Sequence, residues 1–157
     1  MKARYLARAA SIAALYVLLT LVFAPISSGL MQCRVSEALC VLPYFTSAAV
    51  PGLFVGCALA NLLTGAPLYD VLFGSAATLL AALCTYWMRR RVTKYLSPLP
   101  SVLFNALIVG ALLVYVYQVG VPYWVAAAYV GVGQAIACFV LGIPLLAVLE
   151  RFPKLWN

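Results

Sequence analysis

An all-α integral membrane protein, built as a compact bundle of six transmembrane helices with both termini in the cytoplasm, is the fold class that three observations predict. Hydrophobic residues fill 67% of the 157 positions and charged residues only 8%, a balance that soluble domains do not carry. Charge-free stretches run from Ala9 to Cys33, Ala38 to Tyr69, Val71 to Met88 and Tyr95 to Leu149, and a spanning helix needs about 20 apolar residues. The basic residues gather as Lys2, Arg4 and Arg8, then Arg89, Arg90, Arg91 and Lys94, then Arg151 and Lys154. Short basic segments stay on the cytoplasmic side. Residues 1–157 read as a single membrane domain.

The first span covers 5–24. Basic residues followed by an apolar run resemble a signal peptide, but the run from Ala9 to Ala24 is long for one and no small-x-small cleavage site follows. A retained helix is expected, ended by Pro25, Ser27, Ser28 and Gly29. The second segment, 33–46, is shorter and interrupted by Pro43. Parity decides its role. With the N-terminus and the 89–94 cluster on one side, the chain must cross an even number of times between them. Spans 5–24, 47–65 and 68–88 supply an odd number, so 33–46 must cross too, as a short or tilted helix. Pro51-Gly52 lies near the start of 47–65, and Gly65-Ala66-Pro67 separates it from 68–88. Pro98 and Pro100 precede 100–119, and Gly120-Val121-Pro122 parts it from 122–149. Pro and Gly punctuate helices by removing a donor or relaxing the backbone. The last two spans return the C-terminus to the side of the first.

Several function classes fall away. The net charge of +7 reports topology rather than nucleic-acid binding, because solvated polar residues do not accompany the basic groups. The five cysteines (33, 40, 57, 84 and 138) show no paired spacing, and Cys in apolar runs acts as a small hydrophobe. With no His, neither a metal site nor a His proton relay is expected. Leu30-Met31-Gln32-Cys33 resembles a lipoprotein box, but Gln32 is not the small residue needed before the cysteine. No nucleotide-binding loop is visible, so the chain is not expected to drive transport with ATP by itself, and no nucleophile–base pair, His motif or acidic metal cluster is visible, which argues against an enzyme. Small residues recur every fourth position: Ala9 and Ala13, Ala10 and Ala14, then Gly52, Gly56 and Ala60, then Ala127, Gly131 and Ala135. Such stripes let helix backbones approach closely in lipid.

The predicted topology puts Arg34, Glu37, Asn61, Asp70, Tyr115, Tyr117, Gln118, Tyr123 and Trp124 toward the outer side. Interfacial Tyr and Trp are ordinary belt residues. An acid or base kept near the mouth of such a bundle is a hypothesis about a ligand. Arg34 and Glu37, three apart, share a helical face; they form either a weak surface ion pair or a ligand contact. Asp70 is either a helix N-cap or a second contact.

The runs Arg34-Val35-Ser36-Glu37-Ala38-Leu39, Ala49-Val50-Pro51-Gly52-Leu53-Phe54 with Gly56-Cys57 and Ala60-Asn61, Asp70-Val71-Leu72-Phe73-Gly74-Ser75, and Asn105-Ala106-Leu107-Ile108-Val109-Gly110 resemble the QueT-type family. These are substrate-binding (S) components of energy-coupling factor transporters for queuosine precursors. The resemblance implies a six-helix S component of the bacterial cytoplasmic membrane that captures a 7-deazaguanine from outside. It implies partners as well: a membrane coupling subunit and two cytoplasmic ATPases, which use ATP while this chain holds no cofactor. It also implies docking of the first helix on the coupling subunit through Ala9, Ala10, Ala13 and Ala14.

A deazaguanine offers two adjacent donors beside a carbonyl acceptor. One carboxylate accepts both donors as charge-assisted bonds, the role expected of Glu37. Arg34 is expected to donate to the carbonyl or to hold Glu37. Pre-queuosine and queuine also carry a cationic amine, matched to Asp70. Asn61, Asn105 and Gln134 are amides in apolar helices, where unpaired polar groups cost free energy; each reads a base edge or closes an interhelical bond. Tyr115, Tyr123 and Trp124 are expected to stack on the flat ring. The rival reading is a stand-alone facilitator or channel, which needs a continuous polar path through the bundle.

Overall fold

A computed structural model describes residues 2–24 and 34–152. The helix-breaking residues 25–29, the Leu30–Cys33 box and Lys154 lie outside the described residues. Within them the chain folds into six helices and no strand. They are α1 (Lys2–Val22), α2 (Val35–Tyr44), α3 (Ala49–Leu63), α4 (Asp70–Met88), α5 (Leu99–Tyr115) and α6 (Tyr123–Leu149). Segments Lys2–Val22, Asp70–Met88, Lys94–Tyr115 and Tyr123–Leu149 are long and apolar enough to cross a membrane, while α2 and α3 are shorter apolar helices.

The 33–46 segment is the one whose form the sequence left most open. It is a 3-10 helix of 10 residues, buried from Ser36 to Pro43. At about 2.0 Å rise per residue it reaches about 20 Å, further than an α-helix of equal length. Such long 3-10 runs are uncommon. This one survives because α1, α4 and α6 surround it, so packing rather than intrinsic preference fixes its backbone.

Small residues set the helix spacing. A Cβ on Gly52 would stand 2.8 Å from the Ala9 carbonyl oxygen, and one on Gly56 would stand 2.9 Å from the Tyr16 Cβ. These glycines let α1 and α3 touch backbone to backbone. Gly110 does the same on α5, where a Cβ would lie 2.8 Å from the Ala127 Cα of α6. Gly142 brings α6 onto α2, its missing Cβ falling 3.2 Å from the Ala38 carbonyl oxygen. The core around Tyr16, Leu53 and Cys57 joins α1, α2, α3 and α4; a smaller one around Val41, Cys138 and Leu146 joins α2 to α6.

Two helices carry a wider π turn. One occupies Asp70–Gly74 at the head of α4, the other Ile136–Leu141 in the middle of α6. Pro144, just beyond the second, lacks the N–H that a regular ladder would use. π turns concentrate at functional sites, and the first of these contributes Asp70 and Gly74 to a small buried space.

The basic groups gather at one end of the bundle. Lys2, Arg4 and Arg8 share a groove with Arg89. Lys94 meets Glu150 at 2.8 Å, the ion pair found among the described residues.

Candidate functional site

Arg34, Glu37, Asp70, Asn105 and Gln134 converge on one cavity, with Cys57, Gly74 and Val109 completing its wall. They come from five places in the chain: the residue preceding α2, then α2, α4, α5 and α6. The cavity is about 10 Å³, room for about one water. Ligand pockets span roughly 300–1,000 Å³, far more than this space.

Glu37 is 2% exposed. Its Oε1 accepts a hydrogen bond from the Tyr16 hydroxyl at 2.6 Å, in the range of O–H bonds to carboxylates. Arg34 forms no ion pair with it within 4.0 Å, so the surface-pair reading does not hold. Glu37 is held by a neutral hydroxyl from α1, and its remaining acceptor capacity faces the cavity wall. Tyr16, 1% exposed, is itself fixed by Gly56 behind it. Below it, Thr20 donates to the Tyr16 carbonyl at 2.9 Å and accepts from the Ser36 hydroxyl at 2.8 Å. Glu37 is therefore positioned from both its own helix and α1.

Arg34 precedes α2 in extended backbone. Its guanidinium donates to the Asn61 amide oxygen at 2.9 Å, and the Asn61 amide nitrogen donates to the Asp70 carbonyl at 3.1 Å. Asn61 thus ties Arg34 to the π turn of α4 rather than lining the cavity. Its expected role as a base reader gives way to the interhelical alternative. Asp70 stands in the first turn of its helix and contributes to the cavity wall, which favours the contact reading over the N-cap. Asn105 uses its amide nitrogen on the Ser101 carbonyl at 3.0 Å, and Gln134 uses its amide oxygen on the Cys138 thiol at 3.6 Å. Both remain cavity-lining residues. Each keeps one half of its amide uncommitted to these bonds.

The aromatic expectation does not survive. Tyr115 and Trp124 are 72% and 74% exposed. Tyr115 stacks on Tyr123 with centroids 6.4 Å apart, and Tyr123 lies 4.8 Å from Trp124. These three rings form a surface cluster outside the cavity wall, as belt residues do. Tyr117 is the tyrosine that stands beside Asp70. Its hydroxyl is buried and lacks a partner at hydrogen-bond geometry, yet it lies near enough to sense the Asp70 carboxylate. Burial, and secondarily Asp70, push the Tyr117 pKa up to about 12.

The docking stripe splits in two. Ala13 is buried and Ala9 half-buried, both against the α3 glycines, whereas Ala10 and Ala14 are exposed. Ala9 and Ala13 are spaced four apart for packing within the bundle, so only Ala10 and Ala14 remain available to a partner.

Buried hydroxyls also lie along α4. Thr78 donates to the Gly74 carbonyl at 3.1 Å and Thr85 to the Ser97 carbonyl at 3.0 Å. These bonds close on backbone. The adjoining space beside Thr78 and Ser101 has no room even for a water.

Among known proteins, the family model described as QueT transporter aligns with residues 6–151. No curated protein and no solved structure matches the chain.

Proposed function

The chain belongs to the QueT transporter family, a family of multi-pass membrane transport proteins rather than enzymes, and on that premise we propose that it is the substrate-binding component of an energy-coupled importer for a 7-deazaguanine. The observation that carries this reading is the buried carboxylate of Glu37 at the cavity wall, held by Tyr16. A buried acid with free acceptor capacity is complementary to two adjacent N–H donors. Arg34 supplies the opposite polarity for a ring carbonyl. Asn105 and Gln134 offer an acceptor and a donor for the remaining base edge. The two acids and one guanidinium leave the wall net negative, which suits a substrate with an ammonium group near Asp70.

In this reading the end that carries Lys2, Arg4, Arg8 and Arg89 faces the cytoplasm, as short basic segments do, and the cavity faces outward. Exposed Ala10 and Ala14 form the surface on which a membrane coupling subunit would seat, with ATP hydrolysed by two partner ATPases. The chain holds no cofactor in this scheme, and the host membrane is the bacterial cytoplasmic membrane.

Calorimetric titration of the purified protein tests the reading, using an aminomethyl-7-deazaguanine, a cyano-7-deazaguanine and adenine. The amine-bearing base is expected to bind tightest and adenine, which lacks the paired donors, not at all. Equal affinity for adenine would overturn the assignment.

A further inference from the structure

A second site, at the opposite end from the cavity, carries a proposal of its own. A groove of about 780 Å³ opens between the first turns of α1, the turn joining α2 to α3, and the end of α4. Lys2, Arg4, Arg8 and Arg89 line it, and no acidic side chain does. Arg4 and Arg8 are one helical turn apart and present their charges on one face. Arg89 is held in place: its guanidinium lies 4.0 Å over the Tyr86 ring and donates to the Tyr86 hydroxyl at 3.2 Å. Across the groove the Tyr5 hydroxyl donates to the Ser47 carbonyl at 3.4 Å, linking α1 to the α2–α3 turn. The remaining wall is apolar, from Leu6 and Phe45.

We propose that this groove binds an anionic glycerophospholipid, its phosphodiester between Arg8 and Arg89 and an acyl chain along Leu6 and Phe45. Guanidinium groups match phosphate oxygens in fork geometry. A basic recess between transmembrane helices at a membrane face is the setting in which anionic head groups dock. The apolar run of α1 begins at Ala9, so the groove lies at the depth where head group gives way to hydrocarbon. A soluble anion would use the cations and leave the apolar wall unused. The lipid uses both.

Native mass spectrometry of the full chain in neutral detergent tests this, with phosphatidylglycerol, phosphatidylcholine and soluble glycerol 3-phosphate offered separately. Phosphatidylglycerol adducts are expected to persist, with little retention of the other two. The paired variant Arg8→Gln with Arg89→Gln is expected to lower retention by at least about tenfold, as loss of two charge-assisted contacts implies. Arg90→Gln with Arg91→Gln, an equal loss of charge outside the groove, is expected to leave it within about twofold. Equal losses in the two variants would overturn the proposal, as would equal retention of phosphatidylcholine or of glycerol 3-phosphate. Should the groove variant fail to fold, a photoreactive phosphatidylglycerol on the parent protein decides. Cross-links at Tyr5 to Arg8 and Phe45 to Ser47 support the site, and cross-links confined elsewhere overturn it.

Discussion

Replacing Glu37 with Gln separates the ligand role of this residue from a structural one. The substitution keeps the shape of the side chain. The amide oxygen can still accept the Tyr16 hydroxyl, which now bonds Glu37 at 2.6 Å, so the contact between α1 and α2 persists. What disappears is the charge, and one acceptor becomes an N–H donor. Toward a ligand presenting two donors, a charge-assisted bond is lost, and hydrogen bonds to charged groups contribute about 1.5–3 kcal/mol. At about 1.4 kcal/mol per tenfold, affinity for an aminomethyl-7-deazaguanine falls roughly 10- to 150-fold. Stability should move the other way or not at all, because a neutral amide is less costly to bury than a carboxylate. Calorimetric titration and a thermal melt on the same preparation read the two quantities. Unchanged affinity with an unchanged melt would refute the ligand role, and a collapsed melt would show that the carboxylate is a structural requirement instead.

Four further outcomes follow from the same geometry. Tyr16→Phe leaves Glu37 without its donor and should weaken binding about tenfold, read by the same titration; no change would mean that Glu37 is positioned from α2 alone. Gly56→Ala puts a Cβ 2.9 Å from the Tyr16 Cβ and should lower stability by about 1–3 kcal/mol, whereas Gly131→Ala, whose nearest neighbour is 3.4 Å away, should be tolerated in the same melt. Ala10→Leu with Ala14→Leu should abolish uptake in cells while leaving ligand binding by the purified protein intact; unimpaired uptake would remove that face from partner docking. Tyr117 titrates near 12 rather than its ordinary 10.0, so the folded state holds this proton more tightly than the unfolded one. Its contribution is complete below about pH 10 and is lost as pH rises toward 12. Tyr117→Phe should flatten that alkaline decline in a melt series, and an identical pH profile would show that the folded state does not hold this proton more tightly.

Most of the architecture was legible because membrane folding leaves few alternatives. Backbone polar groups in lipid must be satisfied within a helix, so runs of apolar residues and their breaks gave spans within a few residues of α1, α3, α4 and α6. Parity alone asked for a helix over 33–46, where α2 (Val35–Tyr44) lies. Its 3-10 form was not legible, because it arises from neighbours that close around Ser36 to Pro43. Both π turns likewise depend on tertiary contacts. At the site, charge was a strong signal: Arg34, Glu37 and Asp70 stand out in a nearly uncharged chain, and they meet. Aromatic residues were a weak one, because cavity and belt both take Tyr and Trp. The rings chosen were belt residues. Tyr16, which grips Glu37, was missed, although a tyrosine in the middle of a span, four residues before Thr20, carries a hydroxyl that needs a buried partner. The Ala stripe was ambiguous for a geometric reason. Two pairs offset by one residue lie about 100° apart on a helix, so Ala9 and Ala13 face inward while Ala10 and Ala14 face out.

The central claim, that the Glu37 cavity grips a flat heterocycle, meets its most direct test in the small molecules released when the protein, purified from cells, is denatured and its extract read by mass spectrometry. A 7-deazaguanine is expected from the parent and is expected to be depleted in Glu37→Gln. Recovery of a different chemical class from the parent, or equal recovery of the same base from both proteins, would contradict the account.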